Sequence, residues 1–133
     1  MSPGGTAGRV LNDVGLALWL AAATAPRGPG APRWPAWTWP SVAAHLAGAA
    51  MVTVDNRGRL LAQRGVAPVA AAKAVLTLAA VATTAWGATD RGRAPRAVTA
   101  ALTAATTALN AVLGEQQRPA TAARGVLRRL ARV

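Results

Sequence analysis

A chain of 133 residues with no cysteine and a formal net charge of +11 is one small domain's worth of sequence, too short for two ordinary hydrophobic cores. Its 53% hydrophobic content is mostly small, with 36 Ala, 14 Leu and 13 Val against no Ile, Phe or Tyr, and five Trp as the large side chains. The missing cysteine excludes disulfides, thiolate metal sites and a cysteine nucleophile, while one His and four scattered acids (Asp13, Asp55, Asp90, Glu115) leave almost nothing for acid–base catalysis.

Small side chains offer little burial in water, where apolar area contributes roughly 25 cal/mol per Å². Between helices in lipid the requirement reverses, because Ala and Gly let backbones approach closely. A GC-rich genome produces the same composition, and so does a meaningless reading frame, so patterning has to make the distinction. Charged residues are bunched, leaving uncharged windows of 13 residues (Val14 to Pro26), 21 (Trp34 to Val54), 16 (Ala74 to Thr89) and 18 (Ala97 to Gly114). A helix needs about 20 residues to cross about 30 Å of hydrocarbon. The windows therefore predict an all-α bundle of four short transmembrane helices, at about 10–25, 41–56, 67–88 and 96–114.

In chain order, residues 1–8 read as a flexible tail ahead of a membrane domain spanning 9–115. The first helix resembles a signal peptide, but Asn12 and Asp13 interrupt its start and no small-x-small cleavage site precedes a polar domain, so a retained helix is expected. Pro26-Arg27-Gly28-Pro29-Gly30-Ala31-Pro32 cannot be helical. Trp34, Trp37 and Trp39 follow, and three indoles beside an apolar run predict interfacial anchors. Base stacking beside Arg27 and Arg33 is the rival reading. His45, one turn into the second helix, is expected to be a hydrogen-bonded packing residue. Asp55-Asn56-Arg57-Gly58-Arg59 and Asp90-Arg91-Gly92-Arg93-Ala94-Pro95 read as polar turns ending the second and third helices.

The third and fourth helices carry matched polar stripes. Lys73, Thr77, Ala80 and Thr84 are spaced 4-3-4, and so are Thr99, Thr103, Thr106 and Asn110, which puts each set on one helix face. In an antiparallel hairpin the pairs 73/110, 77/106, 80/103 and 84/99 all share one register, centred between Arg91 and Gly92. Threonines facing each other can hydrogen-bond across a close interface, or each can bond its own backbone while facing lipid. Lys73 is a functional candidate by its place in the membrane. Its long stem is expected to snorkel toward headgroups or Glu115.

After Glu115 the tail 116–133 is basic. Ala123, Val126, Leu127, Leu130 and Val133 share one arc of a helical wheel, opposite Arg124, Arg128, Arg129 and Arg132. Such a helix lies on a membrane with its arginines on anionic headgroups, each contributing on the order of 1 kcal/mol. With both termini inside, nine arginines fall on inner segments and five on outer loops, so both termini are expected in the cytoplasm of a multi-pass inner-membrane protein.

Asn12-Asp13-Val14-Gly15-Leu16-Ala17-Leu18-Trp19, Ala44-His45-Leu46-Ala47-Gly48, Asn56-Arg57, Gln63-Arg64-Gly65-Val66, Lys73-Ala74-Val75-Leu76-Thr77 and Gly114-Glu115-Gln116-Gln117-Arg118-Pro119 occur in that order over most of the chain. In these segments the chain resembles a family of small, functionally uncharacterised actinobacterial membrane proteins, as a member shortened between helices one and two and between three and four. The resemblance implies a four-helix membrane fold and transfers no activity.

The leading expectation is a structural or accessory membrane component that acts through helix packing and is not an enzyme. No paired His, acidic cluster or phosphate-binding glycine loop is present, so no metal or cofactor is expected. Expected partners are anionic lipid headgroups and, because the spans are short, a second copy of the chain or another membrane protein. The alternatives are a basic helical protein of nucleic acid or the membrane surface, disfavoured because Arg is kept out of the apolar windows, and a small transporter or channel subunit with Lys73, Asn110 and His45 lining a polar path.

Overall fold

The structure, a computed structural model, describes residues 3–62, 65–90 and 92–117. The described chain is four α-helices with no strand: α1 (Pro3–Thr24), α2 (Thr38–Ala62), α3 (Val66–Thr89) and α4 (Ala94–Gln117). The basic tail with Arg124, Arg128, Arg129 and Arg132 lies outside the described residues.

Two boundaries depart from expectation. Residues 3–8, expected as part of a flexible tail, are the first turns of α1. Proline is at home in a first helical turn, and Gly8 brings this turn against Met51 and the Gly48 carbonyl of α2. The expected turn at Asp55–Arg59 is helical instead, and α2 runs on to Ala62. That polar run contains no proline, and Asn56 Nδ2 donates to the Val52 carbonyl one turn back at 2.9 Å, which leaves the helix intact. The break falls at Gly65, whose φ of +99° is a left-handed conformation that favours glycine.

Prolines mark the other starts. Pro68 and Pro95 sit in the first turns of α3 and α4, where a missing N–H costs no helical bond. At the α3–α4 turn, Asp90 Oδ1 accepts the Gly92 N–H at 2.7 Å, an Asx turn.

The helices run alternately up and down. α1 packs most extensively on α2, α3 on α4, and α1 also on α4, while α2 and α3 barely touch. The α1–α2 seam is close because it is made of glycines. A Cβ on Gly15 would stand 2.4 Å from His45 N, and one on Gly48 would stand 2.2 Å from Asn12 N. Both are distances that only a missing side chain permits.

Inside and outside are inverted relative to a water-soluble bundle. The apolar core is small, with Leu16, Trp19, Val42 and Ala80 at its centre. Thr38, Ser41, His45, Thr77, Thr84, Thr99, Thr103 and Thr106 are also buried. Large apolar side chains instead face outward, with Leu78 67% and Val75 64% exposed on α3 and Val10, Val14, Leu18, Val98 and Val112 exposed elsewhere. α3 and the segment Ala94–Gly114 of α4 are long and apolar enough to cross a membrane; α1 and α2, carrying more polar residues, do not meet that measure.

Candidate functional site

Polar side chains of α2, α3 and α4 converge on the neighbouring residues Asn12 and Asp13 of α1. Asn12 is 5% exposed and bonds through Nδ2, Oδ1 and its backbone carbonyl. Its Nδ2 donates to Asp13 Oδ1 at 2.9 Å. Its Oδ1 accepts from Lys73 Nζ of α3 at 3.2 Å. Its backbone carbonyl accepts from His45 Nδ1 of α2 at 2.8 Å. Because a carbonyl only accepts, Nδ1 carries the proton; Nε2 is buried without a hydrogen-bond partner among the described residues. From α4, Asn110 Nδ2 reaches Asp13 Oδ1 at 3.4 Å, the longest contact of the set. A buried carboxamide with satisfied partners holds its neighbours in one arrangement, since any slip strands a polar group in a low-dielectric interior.

A second layer ties the same helices together further along. The Trp19 ring lies 6.0 Å from His45, tilted by 54°, and its Nε1 donates to Thr84 Oγ1 at 3.0 Å. α1 and α3 lie across the bundle from each other and are joined by these side chains, Lys73 and Trp19, where their backbones do not meet.

The matched stripes face inward, but their hydroxyls do not pair in the expected way. Thr84 donates to the Ala80 carbonyl, Thr103 to those of Thr99 and Ala100, and Thr106 to that of Leu102. A hydroxyl bonding its own helix needs no partner in register. The hydroxyl contact that crosses is Thr83 Oγ1 to Thr99 Oγ1 at 2.7 Å. Thr77 is buried and lines a crevice between α2 and α3.

Two expected side chains are placed differently. Lys73, expected to reach toward headgroups or Glu115, donates from its ammonium to the Asn12 carboxamide, which lies within reach of its stem. Trp34, expected as an interfacial anchor, is buried at 7% exposure. Its ring rests on Gly87, where no side chain intervenes, and its Nε1 donates to the Thr84 carbonyl at 3.0 Å. Trp37 and Trp39 remain about half exposed.

Trp34 belongs to a structure that closes the far end of the bundle. The Arg96 guanidinium lies 5.4 Å over its ring and donates through Nη2 to the Ala22 and Ala25 carbonyls at 2.6 and 2.8 Å. Arg33 donates to the Ala88 carbonyl. Arginines thus satisfy terminal carbonyls of α1 and α3, where the helix dipole favours a cation.

Two cavities open beside the Asn12 cluster. The first, about 480 Å³, is lined by Arg9, Asn12, Asp13, Lys73 and Asn110, with Leu16, Ala17 and Leu20 as its apolar wall. The second, about 300 Å³, is the α2–α3 crevice, with walls of Leu46, Val52, Val66, Ala70, Leu78 and Leu113. Lys73, Val52 and Leu113 line both. Among the described residues no group of His, Asp and Glu could hold a metal ion.

Sequence reasoning singled out Lys73, Asn110 and His45 but treated Asn12 and Asp13 as interruptions of a helix. The available signal was that a polar pair inside an apolar helix is itself a site candidate. No family model matches the chain, and neither a curated protein nor a solved structure matches it.

Proposed function

We propose that this chain is a multi-pass integral membrane protein with both termini in the cytoplasm, acting by helix packing as a structural or accessory component and not as an enzyme. The carrying observation is the inverted partition of side chains. Eight threonine, serine and histidine side chains are buried where a soluble bundle needs Leu and Phe, while Leu78, Val75 and Leu61 face outward. In water that arrangement leaves apolar surface exposed and polar groups desolvated; in lipid both terms change sign.

Further support comes from the charges. Of the five arginines on the proposed outer side, Arg33 and Arg96 are engaged on helix-terminal carbonyls, so those two serve the fold as well as the surface. Trp37 and Trp39 are about half exposed, which suits an interfacial anchor, and burial of Trp34 takes one of three indoles away from any base-stacking surface. The residues of the Asn12 cluster on α1, α2 and α3 all lie in segments that resemble the actinobacterial membrane family. Asn12 on α1 and Thr38, Ser41 and His45 on α2 are buried in the bundle, whereas Val10, Val14 and Leu18 on α1 face outward, an apolar surface for lipid, a second copy or another membrane protein.

Membranes from expressing cells, washed in high salt and then in alkaline carbonate, test this directly. Release by detergent alone is the expected result. Release by salt would overturn the proposal in favour of electrostatic attachment to lipid or nucleic acid, because screening weakens those contacts steeply.

A further inference from the structure

Lys73 stands where two cavities of opposite character meet. On one side the 480 Å³ cavity presents Arg9 and Lys73 as cations, Asp13 as an anion, and the carboxamides of Asn12 and Asn110. Its volume is that of a small-molecule site, about 300 to 1,000 Å³. On the other side the α2–α3 crevice is lined mainly by aliphatic side chains, with Thr53, Asn56 and Thr77 among them. A ligand suited to the first needs separated negative and positive groups, and one suited to both needs a hydrocarbon chain attached to them.

We propose that this paired cavity binds an aminophospholipid, of which phosphatidylethanolamine is the type. Its phosphate takes charge-assisted hydrogen bonds from Lys73 and Arg9, its ammonium donates to Asp13 and to the Asn110 carboxamide oxygen, and one acyl chain enters the crevice past Val52 and Leu113. Depth is compatible with this. Lys73 is seven residues from the start of α3, about 10 Å at 1.5 Å per residue, so a headgroup is drawn in from the adjacent surface and not from mid-membrane. The crevice is open on the lipid side because α2 and α3 scarcely pack. A free zwitterion without a tail leaves the crevice unfilled, and a choline headgroup, with no N–H, cannot donate to Asp13.

The inference rests on the membrane reading. Its test is native mass spectrometry of the full chain in detergent with equal amounts of dioleoyl phosphatidylethanolamine, phosphatidylglycerol and phosphatidylcholine. The expected result is retention of the ethanolamine lipid about tenfold over the other two, the size of one charge-assisted hydrogen bond. Asp13→Asn removes that preference, Lys73→Met lowers binding of all three lipids about tenfold, and Lys73→Arg retains it. Circular dichroism identifies any variant that has lost its helices, in which case Lys73→Arg and Asp13→Asn carry the comparison. Equal retention of the three lipids by the unaltered chain, or variants that bind as it does, would overturn the proposal. If carbonate strips the chain from membranes, titration with water-soluble dihexanoyl phosphatidylethanolamine separates the two ideas: binding there sinks the membrane reading alone, and no binding sinks the lipid site as well.

Discussion

Gly48 and Gly58 lie ten residues apart on α2, and replacing each with alanine should have opposite effects. At Gly58 a new Cβ meets nothing within 4 Å, so Gly58→Ala removes only the conformational freedom of glycine and stabilises by about 0.5 to 1 kcal/mol. At Gly48 the same atom stands 2.2 Å from Asn12 N, 2.5 Å from the Gly8 carbonyl oxygen and 2.8 Å from Asn12 Cα. All three are backbone atoms of α1, which no rotamer change can move. Restoring ordinary contact at 3.4 Å requires the helices to part locally by about 1.2 Å. Overpacking of this kind costs about 1 to 3 kcal/mol. The same movement stretches the 2.8 Å bond from His45 Nδ1 to the Asn12 carbonyl, and a stranded buried group adds about 1 to 3 kcal/mol. Gly48→Ala is therefore expected to cost about 2 to 6 kcal/mol, a large part of the roughly 5 to 15 kcal/mol of a typical fold. Unfolding of the detergent-solubilised protein by increasing dodecyl sulfate, followed by the fluorescence of tryptophans including the fully buried Trp19, reads both variants on one scale. A Gly48→Ala protein as stable as the parent would refute the close α1–α2 seam.

The same assay ranks the polar cluster. Asn12→Leu keeps the backbone carbonyl that His45 uses but leaves the Lys73 ammonium without its carboxamide partner, and should cost about 2 kcal/mol, whereas Asn110→Leu, losing one 3.4 Å contact at a half-open position, should cost under about 1 kcal/mol; the reverse order would dislodge Asn12 from the centre. Since the chain has no cysteine, Thr77→Cys with Thr106→Cys should crosslink in membranes much more readily than Leu76→Cys with Thr106→Cys. Equal crosslinking would mean that α3 and α4 do not meet in the shared register.

How much of the site was legible depended on where each partner lies in the chain. The stripes of α3 and α4 could be read because both run at helical spacing in neighbouring helices joined by a short turn. Asn12 could not be placed in the same way, since its partners Lys73 and His45 are 61 and 33 residues distant and nothing local states which of them its carboxamide meets. Trp34 shows the complementary case. Next to Trp37 and Trp39 it looks like one more interfacial indole, and only Gly87 on α3, opening room for its ring, takes it inside.

Taken by itself, the sequence determined the four helices of the described residues, the Pro- and Gly-rich break after α1, and the inward faces of α3 and α4. Those features follow from local chemistry: proline's missing donor, the length of uncharged runs, and the 3.6-residue period. Tertiary structure decided that the Asp55–Arg59 run stays helical, that Lys73 turns inward to Asn12, and that Arg96 reaches across to the end of α1. These outcomes depend on the rotation and separation of helices that lie far apart in the chain. The helix spacing is in turn set by contacts such as Gly48 against Asn12, where the decisive feature is a side chain that is absent.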